Sequence, residues 1–312
     1  MANFTAQLWS LLDRLKVVTF KSALIREIIM HIKKYRRRGS LKELPAIVLT
    51  AFGTAQRGKA VYQLFDNLVR SEFKDYDISW AYTSEIIREK TGHPGILQTL
   101  ASLEQQGFTR AAVQPLLIFP GTEYEVLADS CRSFPGLRVL VGETLLHRWH
   151  FVEEVLDIIS KDFISPEEGI NLLVAHGTPL SDDSANIVYL GLDHLLSWKF
   201  SNVYFCSIEG IPGSRGVFGK IERILSSSHP GKTGLRARII PFMYVAGLHV
   251  EQDLLGKQGS YKSRLEEIGF SVECLTVEYQ EERFYKGLGF YEKTRELFLD
   301  RLRRSLDLIK FC

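Results

Sequence analysis

A chain of 312 residues, 45% hydrophobic and 24% charged, has the composition of a globular protein with room for two domains of ordinary size. Its four cysteines are scattered and form no C-x-x-C pair, which argues against a disulfide framework or a thiolate zinc site and favours a cytoplasmic location. The sequence has no apolar stretch of the roughly 18 residues that would predict a membrane-spanning helix. Charged residues interrupt the apolar N-terminal stretch, so a signal peptide is not expected.

The first 45 residues form a basic arm that differs from the rest of the chain. They hold ten Lys or Arg against three Asp or Glu, a net charge of +7, so the remainder carries −5 of the overall +2. Apolar residues at helical spacing predict amphipathic helices, which pack on the body, join a second subunit in a homo-oligomer, or lie on an anionic membrane surface. Nucleic-acid binding is not expected, because the arm lacks interleaved aromatic residues and the body is mildly acidic.

From Ala46 onward, short apolar runs alternate with longer amphipathic segments, a pattern that predicts parallel sheets joined by helices. The predicted strands are 46–52, 76–82, 111–118, 137–142, 170–176, 201–207, 236–245 and 270–276. The predicted helices are 58–72, 84–90, 95–106, 123–132, 149–161, 184–197, 214–227, 250–256 and 260–268, followed by a tail at 290–308 that packs back across the structure. A turn-like segment, 165–169, divides the repeated body into a first domain at 46–166 and a second at 167–312.

The two halves share three matched blocks in the same order. Residues 47–54 (IVLTAFGT) match 171–178 (NLLVAHGT), 82–85 match 206–209, and 115–125 match 241–251. A period of this length is too long for a solenoid repeat and predicts two similar, doubly wound α/β domains with parallel sheets around a cleft. Each block ends where a buried strand is expected to end, which is where ligands bind in open parallel sheets.

The matched positions differ in their chemistry. Phe52 corresponds to His176 and Glu123 to His249, while Glu209 ends the remaining block of the second half. Two imidazoles and a carboxylate suit a divalent ion such as cobalt, nickel, iron or zinc. At each histidine, a hydrogen-bonded structural role is the alternative. Glu123 is expected to face the same cleft and either handle protons or join the metal ligands.

Three other local patterns are interpreted as structural features rather than as binding or catalytic sites. Thr122 and Glu125 are expected to form a capping box at the start of a helix. His147 and His150 are expected to begin an ordinary helix rather than bind metal. The segment 210–216 has the glycines of a phosphate loop without its motif, so nucleotide binding is not expected.

Several segments resemble the anaerobic sirohydrochlorin cobaltochelatases, a family of class II tetrapyrrole chelatases. They are AHGTP at 175–179, LDHL at 192–195, IEGIP at 208–212, PFMYVAGLH at 241–249 and, in the first half, AFGT at 51–54, AYTS at 81–84 and PGTEYE at 120–125. The resemblance runs from about residue 46 to the C-terminus and implies two similar α/β domains around a tetrapyrrole cleft. It also implies that His176, Glu209 and His249 bind the metal, that His176 accepts protons, and that Glu123 is a further acid in the cleft.

The resemblance implies insertion of Co²⁺, as the substrate metal, into sirohydrochlorin without ATP. Insertion of Fe²⁺ or Ni²⁺ into a related tetrapyrrole, and metal or tetrapyrrole binding without turnover, stay open as alternatives. The carboxylates of such a substrate need cations, for which Arg88, Lys90, Arg215 and Lys220 are candidates at the rims of the cleft. The basic arm at 1–45 has no counterpart in the compact core of the family.

Overall fold

Each half of the chain forms one four-stranded parallel sheet, and the computed structural model describes residues 40–54, 58–228, 234–247 and 250–311. The strands of the first sheet are β1 (Ala46–Ala51), β2 (Ile78–Tyr82), β3 (Arg110–Pro115) and β4 (Arg138–Val141). Those of the second sheet are β5 (Gly169–Gly177), β6 (Val203–Glu209), β7 (Arg236–Pro241) and β8 (Ser271–Cys274). The spatial orders, β2-β1-β3-β4 and β6-β5-β7-β8, are equivalent, as a duplicated unit requires.

Helices connect the strands in both halves. In the first half they are α1 (Lys59–Glu72), α2 (Glu85–Thr91), α3 (Ile96–Gln105), α4 (Thr122–Arg132) and α5 (Trp149–Ile159). In the second half they are α6 (Ala185–Lys199), α7 (Ser214–Ser228), α8 (Tyr261–Ile268) and α9 (Glu292–Leu308), with a π-helical turn at Val250–Leu254. Among the described residues, no helix is long and apolar enough to span a bilayer.

Two strands end earlier than their apolar runs predict, and both end at a proline. Pro115 closes β3 and Pro241 closes β7. Proline has no N–H to donate, so the hydrogen-bond ladder stops there. The next amides, of Leu116 and Phe242, make a last bond back to the central strand of each sheet, both at 2.7 Å.

A two-stranded hairpin in the second half was not predicted. Its antiparallel strands are β9 (Thr276–Tyr279) and β10 (Glu282–Tyr285). Gln280 and Glu281 form the turn with φ of 52° and 63°, a left-handed backbone usually marked by Gly, Asn or Asp. The first half has no equivalent hairpin among its described residues, so this element breaks the internal symmetry.

The main hydrophobic core lies between the two sheets and belongs to both halves. It includes Phe65 of α1, Leu156 of α5, Leu192 of α6 and Phe298 of α9, all at most 1% exposed. The outer faces of the first and second sheets have smaller cores, covered by α3 and α4 and by α7 and α8 respectively.

The last helix of each half packs on the other half. In α9, the buried Arg301 side chain donates hydrogen bonds to the carbonyl oxygens of Thr144 (3.2 Å) and Leu145 (2.8 Å) in the first half. In α5, Asp157 forms an ion pair with Lys199 at the end of α6 (2.7 Å). The domain boundary at residue 166 therefore remains a prediction, because each half contributes a helix that packs on the other half.

Candidate functional site

His176 and Glu209 end two neighbouring strands at one edge of the second sheet. Gly177, directly after His176, pairs with Glu209 in the parallel ladder. Gly177 has φ of +83°, and a Cβ there would lie 1.8 Å from the carbonyl oxygen of Glu209; Gly210 likewise approaches the carbonyl oxygen of Thr178. Only glycine permits this approach, so the two glycines fix the backbone of both candidate residues at the ends of neighbouring strands. Both side chains are exposed.

Glu123 belongs to the first half and lies in the first turn of α4, within electrostatic reach of His176. The Thr83 hydroxyl donates a hydrogen bond to its carboxylate. The side chain is open to the cleft, but protein atoms crowd the carboxylate, and this desolvation raises its pKa despite the opposing effects of Thr83 and the charge of His176. Glu123 therefore exchanges protons closer to neutral pH than an ordinary glutamate.

Two buried tyrosines lie near Glu123. The hydroxyl of Tyr62 accepts a hydrogen bond from the Gly53 amide at 3.4 Å. Burial raises the pKa of Tyr62 and of Tyr189, and the nearby charge of Glu123 adds to the rise in both. Both hydroxyl groups therefore stay protonated at neutral pH. They can form hydrogen bonds but do not act as bases.

The third predicted ligand, His249, lies outside the described residues. On either side of it, Gly247 belongs to the loop that follows β7, and the buried Val250 begins the π-helical turn. Within the described ranges, no group of three or more His, Cys, Asp or Glu side chains is arranged to hold a metal ion. The set of His176, Glu209 and His249 therefore stays a prediction.

His147 and His150 pack on aromatic rings. The sequence predicted that this pair begins a helix and does not bind metal. The ring centroid of His147 lies 5.5 Å from that of Tyr124, and His150 lies 4.1 Å from Phe151. Burial lowers the pKa of His147. Their assignment to the start of a helix rather than to a metal site stays a prediction.

The start of α4 is capped from the other half of the molecule. Gly121 is its N-cap residue, so the predicted capping box of Thr122 and Glu125 is wrong. The Thr122 amide donates to Asp183 Oδ1 at 3.2 Å, and the same oxygen accepts from the Ala185 amide at 2.9 Å, at the start of α6. One carboxylate thus satisfies amides at two helix N-termini, where a negative charge is also stabilised by the helix dipoles.

Ser184 adds a second link between the halves. Its hydroxyl lies 2.7 Å from both the Pro120 carbonyl oxygen and the Glu125 carboxylate. Glu125 is therefore held by Ser184 rather than by the amide of its own helix. These contacts hold the strand-end loops of the two halves together beside the cleft.

The four candidate cations have different surroundings. Lys90 lines a cavity of about 580 Å³ that opens between the halves. Arg88 has its Nε buried in the protein, and Arg215 is exposed in the first turn of α7. Lys220 lies 5.8 Å from the ring of Tyr204, which belongs to the core on the outer face of the second sheet. Of the four, Lys90 is the one best placed for a substrate between the halves.

The fold of two related α/β domains with parallel sheets is shared with a solved structure. The solved structure of SirB from Bacillus subtilis with Fe³⁺ is similar to this chain with a TM-score of 0.57 and 17% sequence identity. The similarity covers 84% of this chain and 96% of that one. The predicted fold of two similar parallel-sheet domains is confirmed.

The sequence comparisons identify the family. Residues 45–307 match the family described as cobalt chelatase (CbiK), and the chain belongs to this family. It is 28% identical over 278 residues to sirohydrochlorin cobaltochelatase CbiKC of Nitratidesulfovibrio vulgaris, covering 84% of this chain and 91% of that protein. It is 24% identical over 276 residues to sirohydrochlorin cobaltochelatase of Salmonella typhimurium, covering 84% and 97%. The protein is a metal chelatase, and the resemblance found in the sequence is confirmed.

Proposed function

We propose that the protein inserts Co²⁺ into sirohydrochlorin without a nucleotide. Membership of the cobalt chelatase family and the names of both relatives support this substrate and metal. The observation that carries the proposal is that Glu123 of the first half lies within electrostatic reach of His176, while Glu209 ends the strand next to that of His176. The sequence places His249 at the end of the third matched block, where it would complete the ligands.

The proposed chemistry exchanges two pyrrole N–H protons for one divalent ion. His176, Glu209 and His249 hold the ion on one face of the macrocycle and leave coordination positions open for the pyrrole nitrogens. As metal–nitrogen bonds to the macrocycle form, the bond to His176 breaks, and its freed nitrogen lone pair takes a proton. Glu123 takes the second proton, and both protons pass to solvent.

The choice of Co²⁺ over other divalent ions is a separate part of the proposal. Affinities of nitrogen and oxygen ligands follow the same order for divalent metals in most proteins, so ligand type does not separate Co²⁺ from Fe²⁺ or Ni²⁺. The test is an anaerobic absorbance assay of metal-free sirohydrochlorin with each ion in parallel, with protein far below substrate concentration. We expect the fastest turnover with Co²⁺. Faster turnover with another ion contradicts the cobalt assignment, and no turnover with any of the three contradicts the substrate.

We also propose a cytoplasmic location and a contact of residues 1–45 with a second subunit or a membrane surface. The net charge of +7 in this arm and its helical apolar spacing support the contact. Cell fractionation tests the location, and an extracytoplasmic pool contradicts it.

A further inference from the structure

A cavity of about 580 Å³ lies between the halves and is lined in part by the hairpin. Thr54, in the loop after β1, and Gly247, in the loop after β7, line one part of it. Phe284 and Tyr285 of β10 line another. The unpredicted hairpin is therefore a wall of a cavity that both halves share.

Three cationic side chains line this cavity, and they come from three separate elements. They are Lys90 of α2, Lys262 of α8 and Arg283 of β10. The guanidinium of Arg283 donates from Nε to the Thr276 hydroxyl across the hairpin at 3.1 Å, which orients it. Lys262 has an intrahelical partner, Glu266, at 3.8 Å, a long exposed pair that contributes little.

Two carboxylates also line the cavity. Glu273 is bound by both Arg236 and Arg238, with contacts of 2.7 Å. Burial alone would raise its pKa, but these two guanidinium groups hold the pKa below its usual range, so its charge is already compensated. Glu251 is the other carboxylate of the lining. The cavity is thus lined by three cationic side chains from separate elements, beside apolar and aromatic walls.

We propose that Lys90, Lys262 and Arg283 bind carboxylate groups at the edge of the tetrapyrrole and select a macrocycle with many carboxylates. This rests on the proposed function, which supplies a flat, largely apolar substrate with an anionic rim. Guanidinium and ammonium groups form charge-assisted hydrogen bonds with carboxylates, and Arg binds them in a defined plane. The hairpin, which has no equivalent in the described first half, carries the planar cation Arg283, while the first half contributes Lys90.

The experiment compares Lys262→Gln, Arg283→Gln and the double variant with Arg223→Gln, a matched control at an exposed position of α7 outside the cavity lining. Each variant is first checked for a native circular dichroism spectrum. Binding of metal-free sirohydrochlorin is followed by quenching of protein fluorescence, and KM and kcat are measured with Co²⁺. Each lost contact should weaken binding and raise KM by about tenfold with little change in kcat. Arg223→Gln should match the wild type.

A second measurement compares metal-free uroporphyrin with coproporphyrin, which carries fewer carboxylates. The wild type should prefer uroporphyrin, and the double variant should lose most of that preference. If the wild type neither binds nor metallates sirohydrochlorin, the proposed function fails. If it metallates sirohydrochlorin but the double variant keeps the wild-type KM and preference, the carboxylate site alone is wrong.

Discussion

Glu123 is the residue whose surroundings most clearly suit proton transfer. Burial raises its pKa, so it loses its proton within a range nearer neutral pH than an ordinary glutamate. As pH falls through this raised pKa, the carboxylate becomes protonated and stops accepting, so activity should decline on the acid side. Glu123→Gln should lower kcat by about 10²-fold, flatten this acid limb, and change Co²⁺ affinity less. Steady-state kinetics against pH and calorimetric titration with Co²⁺ measure the two effects.

The outcome of that variant separates two roles. Normal turnover with lost Co²⁺ binding would reassign Glu123 as a metal ligand. Glu125→Gln is a suitable control, because it keeps the helix position while its partner is Ser184 rather than the cleft.

His176 should be required for both metal binding and proton uptake. His176→Ala should abolish metallation and weaken Co²⁺ binding, while the fold persists because the side chain is exposed at a strand end. His194→Ala is the control: His194 is an exposed histidine on α6 that packs beside Trp198, with ring centroids 4.4 Å apart. Metallation by His176→Ala at near wild-type rate would remove it from the mechanism.

The sequence predicted which residues end the strands but missed the side chains that hold Glu123 and Thr122. His176 and Glu209 follow apolar runs and stand at matched positions of a repeat, so local pattern was enough to place them at strand ends. Thr83 and Asp183 act on residues 40 and 61 positions away, respectively. Neither has a local signature, because their roles arise when separate strand ends meet.

At the scale of elements, the Asp183 cap should stabilise both α4 and α6. Hydrogen bonds from Ala185 and Thr122 outweigh the effect of burial and hold the pKa of Asp183 below its usual range. Asp183→Ala should reduce the free energy of unfolding by about 1–2 kcal/mol at pH 7, the usual cost of losing a cap. Because the folded-state pKa is depressed, this contribution is present above about pH 4 and is lost as pH falls further.

Chemical denaturation at pH 7 and at acidic pH measures this loss. Asp182→Ala, which changes the exposed neighbouring carboxylate, provides the control. Equal unfolding free energies for Asp183→Ala and Asp182→Ala at pH 7 would show that the cap is not stabilising.

The regular elements were predictable because burial and periodicity are local properties. The predicted strand 170–176 is Gly169–Gly177 in the structure, and the predicted helix 184–197 is Ala185–Lys199. The hairpin after β8 was missed because Gln280 and Glu281 adopt a left-handed turn without the glycine or asparagine that usually marks it. The predicted strand 236–245 was too long, since its apolar residues beyond Pro241 enter the core as a loop.

At the scale of the whole molecule, the basic arm should be separable from the chemistry. Residues 40–45 lead into β1, and the Lys42 amide donates to the carbonyl oxygen of Gly107, in the loop before β3, at 3.0 Å. A chain beginning at Ser40 should keep chelation and lose association with anionic vesicles or with a second copy. Docking on lipid should weaken with salt, because exposed charges are screened within about 8 Å at physiological ionic strength.

Chelation, vesicle co-sedimentation and mass in solution are measured on the same shortened protein. A folded but inactive product would place the arm in the active site. Salt-resistant association of the full chain would favour the subunit contact over the membrane.

The crossing of α5 and α9 between the halves has a consequence for the order in which the protein can fold during synthesis. The ribosome makes α9 after the other described helices and strands, yet Arg301 of this helix donates hydrogen bonds to a loop made about half of these 312 residues earlier. Until α9 has been made, the apolar surface of the first half that α9 covers stays exposed. The first half therefore cannot complete its core when its own last strand leaves the ribosome. In ribosome-stalled chains that end before residue 292, the first half should be cleaved readily by protease. Chains tethered beyond residue 312 should resist cleavage throughout, so the nascent protein gains its protection in one late step.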